Sequence, residues 1–427
     1  ACLLVVINSE VQSPYSNVIE KQPYTPRTST SNNNKSIILM IGDGMGYEHL
    51  KLAKWVEVGK YGNLSIENLP FVNNVTTFSS DSLITDSAAA ATAMATGYKT
   101  NNGYLSILTD LRSVETILEI SQKKGKSSGV ISTTEITHAT PAAFMTHVIS
   151  RDQTSEIATQ IVEDSDVSIM MGGGRAYFTP DQLNLMQTNG YQLIVDNTGF
   201  LNISSGKVFG LFANGHLPYE INRNYSLTPS LANMTDKAIQ LLSQDPDGFF
   251  LMVEGGRIDH AAHANNKIRD ALETIEFIKA VERAISFVKN TKNTLLIITA
   301  DHETGGLKIL SENLNNKLPS QDRTVEENEI LRVKRAENVT VSWLTTGHTN
   351  ANVPFYSIGI ENDNLDNFTI IDNTKIFDIM KAFISSESQE QADNTLLVII
   401  GLVAIPVIPS VSFALYKKLK TRRNKPN

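Results

Sequence analysis

The stretch Ile37-Ile38-Leu39-Met40-Ile41-Gly42-Asp43 runs an unbroken apolar segment up against a carboxylate, and the arrangement returns twice. Phe249-Phe250-Leu251-Met252-Val253 stops at Glu254, and Leu295-Leu296-Ile297-Ile298 stops shortly before Asp301 and His302. Continuous apolar runs of this length, bounded by turn residues, predict strands buried on both faces, as in a mainly parallel sheet covered by helices. Ligands of such sheets bind beyond the carboxyl ends of the strands. Because each run ends at a metal-ligating side chain, the fold itself would gather these groups at one edge. The expected fold class is α/β, a mainly parallel central sheet sandwiched between helices, with a multi-metal site at that edge.

At 427 residues, with 41% hydrophobic and 19% charged residues, the chain can bury a sizeable core. Its one cysteine, Cys2, permits no intramolecular disulfide. The formal charge is −8, and the six basic residues after Asn394 leave the remainder more acidic still. An acidic exterior without basic stripes argues against nucleic acid as a partner.

Residues 395–416 are almost wholly apolar and uncharged, and 22 residues rising about 1.5 Å each span the ~30 Å hydrocarbon core of a bilayer. Lys417, Lys418, Lys420, Arg422, Arg423 and Lys425 follow directly. A basic cluster beside a spanning segment marks the cytoplasmic side, so the expectation is a single-pass protein of the cell membrane with everything before Thr395 outside. Pro406 and Pro409 suit a membrane helix better than a soluble one. The expected organisation is a signal-peptide remnant and flexible lead-in over 1–35, a catalytic domain over 36–384, a polar stalk over 385–394, a transmembrane helix over 395–416 and a basic cytoplasmic tail over 417–427. Sequons at Asn63, Asn74, Asn202, Asn224, Asn233, Asn338 and Asn367 are compatible with export.

Thr85-Asp86-Ser87-Ala88 opens an alanine-rich stretch that ends at Thr96-Gly97, which predicts a short helix with a polar amino-terminal cap and a glycine stop. Ser87 then sits where backbone N–H groups and the helix dipole favour an anion. A serine there can simply be a cap; beside a metal ion its hydroxyl becomes a competent nucleophile. In Glu254-Gly255-Gly256-Arg257-Ile258-Asp259-His260-Ala261-Ala262-His263, Asp259 and His263 stand four apart, so on a helix they share a face and can hold one metal. Glu254, at the strand end, suits a harder, oxygen-preferring ion. Asp301-His302 offers adjacent oxygen and nitrogen ligands, and Thr346-Gly347-His348 a loop histidine.

These residues resemble the alkaline phosphatase family, metal-dependent phosphomonoesterases. The matching stretches are Ile41-Gly42-Asp43-Gly44-Met45-Gly46, Thr85-Asp86-Ser87-Ala88-Ala89, Thr137-His138-Ala139-Thr140-Pro141, Ser150-Arg151, the stretch from Val253 to His263, Thr299-Ala300-Asp301-His302 and Thr346-Gly347-His348. They occur in the family's order, and Asp301-His302-Glu303-Thr304-Gly305-Gly306 looks like the compact microbial members. The resemblance implies two zinc ions and one magnesium ion. Asp259, His263 and His348 would hold the first zinc, Asp43, Asp301 and His302 the second beside Ser87, and Asp43, Thr140 and Glu254 the magnesium. Arg151 would grip two phosphoryl oxygens. The implied reaction is in-line displacement at phosphorus, with Ser87 attacking to give a phosphoserine that water then hydrolyses; the substrates are small phosphate monoesters. Family members are commonly homodimers.

The best-known bacterial members carry Asp where this chain has His138 and Lys where it has His260, whereas animal members are similar to this chain at both. The expectation is weaker magnesium at the third site, with zinc competing. Two other classes of function stay open at this stage: a superfamily phosphodiesterase or sulfatase, and a membrane-tethered phosphate-binding protein without catalysis.

Overall fold

A computed structural model describes residues 34–291, 293–314, 317–359 and 370–386, all within the unit that begins at Ser31. In chain order the strands are β1 (Ser36–Ile41), β2 (Phe71–Thr76), β3 (Ser127–Glu135), β4 (Ile169–Gly173), β5 (Tyr191–Ile194), β6 (Lys207–Leu211), β7 (Phe249–Glu254), β8 (Thr294–Thr299), β9 (Glu303–Thr304), β10 (Lys308–Glu312), β11 (Val339–Ser342), β12 (His348–Thr349), β13 (Val353–Ile358) and β14 (Ile370–Asp372). Ten of these form one sheet in the order β14-β2-β13-β8-β1-β7-β3-β4-β6-β5. Every pairing is parallel except those of β13, which runs antiparallel to both β2 and β8. Helices flank the sheet, as expected.

The three apolar runs are the sheet's centre. Every residue of β1, β7 and β8 is buried, as two-sided coverage requires, and each such Ile, Leu or Val removed from water stabilises the fold by roughly 1.5–3 kcal/mol. Ile41 pairs with Glu254 on one side and Thr299 on the other, so the three strands end level. Ser132 of β3 pairs with Glu254 on its far side. Four adjacent strands therefore deliver their downstream loops to one edge.

A smaller core lies where helix Tyr47–Glu57 meets helix Lys267–Asn290, with Leu52, Ala53, Val56, Ala271, Ile275, Leu307 and Val339 buried together. Ser385, expected to open the stalk, instead closes helix Thr374–Ser385. Its apolar face, Ile376, Met380 and Ile384, packs into the main core, and that burial carries the helix one residue further than composition suggested. Among the described residues no helix is long and apolar enough to cross a membrane. The signal-peptide remnant and lead-in as far as residue 33, the stalk beyond Ser386 and the segments over 395–427 lie outside the described residues.

Candidate metal centre

Three groups of ligating side chains converge at the carboxyl edge. In the first, His263 Nε2 lies 3.2 Å from Asp259 Oδ2 and 3.2 Å from His348 Nε2, with Asp259 Oδ1 3.6 Å from His348 Nε2. In the second, His302 Nε2 lies 3.2 Å from Asp301 Oδ2, 3.5 Å from Asp43 Oδ1 and 3.2 Å from Ser87 Oγ. Ligands about 2.0–2.1 Å from a tetrahedral ion sit about 3.3–3.4 Å from one another, so both groups have the spacing of a zinc shell. In the third, atoms of Asp43, His138 and Glu254 lie within 4.8 Å of one another.

Local structure explains each placement. Asp259 and His263 share helix Arg257–His263, one turn apart as their spacing predicted. His348, expected in a loop, instead pairs with Thr304 in the two-residue ladder of β12 and β9, which ties its segment to that of His302. The two rings stack with centroids 3.6 Å apart. The loop after β1 passes so close to its neighbours that a Cβ on Gly44, at φ +71°, would meet Thr304 Oγ1 at 2.7 Å. Only glycine fits there.

Ser87 is the first residue of helix Ser87–Thr96, and the cap is Asp86, whose carboxylate accepts from Ala89 N at 3.0 Å. The Ser87 hydroxyl is thus free of capping duty. Asp86 Oδ2 accepts from Gly103 N at 3.0 Å and from Arg151 Nη1 at 3.1 Å, which aims the guanidinium along the same helix end. Arg151 Nη2 also donates to His138 Nε2 at 3.3 Å. A guanidinium can only donate, so Nε2 accepts in this contact, and the ring's Nδ1 is buried without a hydrogen-bond partner among the described residues.

Other supporting groups escaped sequence reasoning. Ser132 and Thr134 both donate to Glu254 Oε2, the threonine at 3.2 Å, and leave Oε1 for another partner. Thr304 donates to Asp259 Oδ1 at 2.6 Å, and the Thr85 carbonyl accepts from His348 Nδ1 at 2.9 Å, turning Nε2 toward the centre. His216 packs its ring against His260 at 4.4 Å and pairs with Glu135. The run of hydroxyl residues in β3, a strand buried along most of its length, was the one available signal.

The electrostatics call for cations. Asp43 Oδ1 and Oδ2, Glu254 Oε1 and Asp301 Oδ2 are buried without a hydrogen-bond partner among the described residues. Burial, then the neighbouring Asp301, Asp259 and Glu254, holds the Asp43 carboxyl well above the usual carboxylate range. Burial pushes Glu254 up to about 7, though hydroxyls of Ser132, Thr140 and Thr134 oppose it, and Asp301 up to about 6. His302 and His138 are held well below the usual imidazole value, first by burial and then by His348 and Arg151 respectively, and His260 falls to about 4 through burial and His216. Bonded to Asp259, His263 rises to about 9, so a proton stands where a cation would otherwise bridge them. Buried carboxylates on this scale must be paired or coordinate metals. Neutral imidazoles beside carboxylates suit zinc, and the oxygen-rich third group suits magnesium.

A sequence profile described as alkaline phosphatase matches residues 34–327. Alkaline phosphatase 3 of Bacillus subtilis is 33% identical over 406 residues, covering 80% of this chain and 87% of the relative. The crystal structure of a cold-active alkaline phosphatase from a psychrophilic Shewanella superposes with a TM-score of 0.71 at 29% identity, covering 82% of this chain and 100% of that one. A histidine-to-aspartate variant of TAB5 alkaline phosphatase, with Mg bound in its M3 site, superposes with a TM-score of 0.69 at 29% identity, covering 84% and 99% of the two chains.

Proposed function

The chain belongs to the alkaline phosphatase family and is a hydrolase of phosphate monoesters; we propose that it acts through a phosphoserine on Ser87 at a centre of two zinc ions and one magnesium ion. The observation that carries this reading is the pair of ligand groups at zinc-shell spacing, one of which includes the Ser87 hydroxyl. Two zinc ions there would supply positive charge for both the entering and departing oxygens of the displacement. Ser87 would attack from the amino terminus of its helix, whose N–H groups face the developing negative charge. Arg151, braced by Asp86, would hold two of a monoester's three free phosphoryl oxygens, leaving the third for the zinc ions, whereas a diester has only two free oxygens in all. Water entering opposite Ser87 would then release phosphate. Zinc and magnesium titrations of a metal-stripped preparation, on an aryl phosphate, a bis-aryl phosphate and an aryl sulfate, test the reading. Greater efficiency on the diester or the sulfate would overturn it.

His138 is engaged by Arg151, so we expect magnesium to be held weakly at the third group, with zinc competing. His138→Asp would supply an oxygen ligand, in keeping with the Mg bound by the TAB5 aspartate variant, and should tighten magnesium about tenfold, within the range typical for ligand-shell changes. Metal analysis after dialysis checks this. Stoichiometric magnesium in the unaltered protein, or no gain in the variant, would refute it.

The apolar segment over 395–416 and its basic flank support a single-pass anchor with the catalytic domain outside the cytoplasm. Protease treatment of intact cells should then remove the activity. Activity that survives until lysis would reverse the orientation.

A further inference from the structure

Each of the four segments bearing candidate zinc ligands carries, a few residues downstream, one member of a single polar chain. After Asp43 comes His49, on helix Tyr47–Glu57; after Asp259 and His263 comes Asp270, on helix Lys267–Asn290. Glu303 directly follows His302, and Thr349 directly follows His348. These four side chains are bonded in sequence. His49 Nδ1 lies 2.7 Å from Asp270 Oδ1 and its Nε2 3.2 Å from Glu303 Oε1, while Glu303 Oε2 accepts from the Thr349 hydroxyl.

The chain is buried over Asp270, His49 and Glu303 and ends at the half-buried Thr349. His49 and Asp270 are fully buried, and the Trp343 ring stands edge-on to His49 with centroids 6.0 Å apart. Glu303 also accepts from Gly306 N and Leu307 N at 3.3 Å each, and a Cβ on Gly46 would lie 2.4 Å from Glu303 Cγ, so this carboxylate rests on the loop that presents Asp43. With a carboxylate on each nitrogen, the imidazole donates twice and is a cation. Burial opposes that charge, but Asp270 and Glu303 outweigh it and lift His49 to about 10. A buried, charge-assisted bridge of this kind is strong and geometrically restrictive. No member belongs to the three converging ligand groups.

We infer that Asp270, His49, Glu303 and Thr349 form a positioning chain that locks the four ligand-bearing segments together, so that the two zinc sites loosen jointly when the chain is cut. The inference rests on the zinc reading above. Its reasoning is that groups orienting metal ligands control metal affinity without touching the metal, typically by about 10–100-fold.

The test is zinc release from the zinc-loaded full chain into excess chromogenic chelator, each protein held equally far below its own melting temperature. The unaltered chain should release two zinc equivalents slowly. In His49→Gln, whose two donors share one nitrogen and so cannot replace Nδ1 and Nε2 on opposite sides of the ring, both equivalents should leave at least about tenfold faster. Val339→Ala, in the same small core but off the chain, serves as a destabilised control with unchanged release. Release from His49→Gln at the control's rate, or acceleration of only one equivalent, would overturn the inference. Should His49→Gln not fold, Thr349→Val decides by the same criterion, since it removes a single hydroxyl from the chain's end. An unaltered chain that binds fewer than two zinc ions would instead sink the zinc reading, and this inference with it.

Discussion

Ser87→Ala should lower kcat/KM for an aryl phosphate by at least ~10⁴-fold, because deleting the nucleophile of a hydrolase leaves only what the surrounding site contributes to direct attack by water. The structure makes this substitution unusually clean. Ser87 is 2% exposed at the head of an alanine-rich helix, and Asp86 rather than Ser87 caps that helix, so alanine fills the position without a lost cap or a cavity. Stability should stay within about 0.5 kcal/mol of the unaltered protein. Zinc content should fall little, since Asp43, Asp301 and His302 remain. Two measurements decide the matter together: steady-state hydrolysis, and acid-quench trapping of labelled phosphate on the protein. The unaltered chain should yield a phosphoserine at residue 87 and the variant none. Retention of more than a tenth of kcat/KM, or of covalent label, would remove Ser87 from the reaction.

The apolar runs were legible in the sequence because β1, β7 and β8 are buried on both faces, and a strand so placed has no alternation to disguise it. Their level ends then gathered Asp43, Glu254, Asp301 and His302 with no further information. The direction of β13 was not legible, since an apolar strand reads alike whether its neighbours run with it or against it. Neither was the support of the ligands. The Thr85 carbonyl that orients His348 is backbone and leaves no trace in composition. His49, Asp270 and Glu303 are separated by more than 200 residues of chain between the first two, and singly each looks like an ordinary helical or turn residue. Asp86 was visible as part of a polar cap, but its second task, bracing Arg151, depends on a loop more than 60 residues away.

Removing the metal ions should abolish turnover and cost more stability the higher the pH. At a thousandfold excess over its dissociation constant, each bound ion stabilises the fold by about 4 kcal/mol, so chelation should lower the melting temperature by many degrees. The pH dependence follows from the groups left behind. Glu254 and Asp301, raised chiefly by burial to about 7 and about 6, contribute stability below their unfolded values near 4 and lose it as pH climbs through the folded ones. Asp43, raised for the same reason, deepens the loss. His263, raised to about 9 by its bond to Asp259, contributes below its unfolded value near 6.5 and loses that contribution as pH passes 9. Asp259, whose burial is outweighed by His263, His302 and His348 so that its carboxyl is held low, matters only under acid conditions. His302, His138 and His260, held low first by burial, pull the other way below their unfolded value near 6.5, so the stripped protein should weaken from about pH 6.5 to 9. The loaded protein should not, because coordination requires deprotonated ligands and strengthens as protons leave. Thermal unfolding with and without chelator at pH 7, 8 and 9 should show the two melting temperatures diverging. Asp43→Asn should reverse the usual association of damage with instability, leaving the stripped protein more stable at pH 8 than the unaltered one while turnover disappears. A gap that stayed constant or narrowed with pH would mean that these buried carboxylates are neutralised by something other than cations.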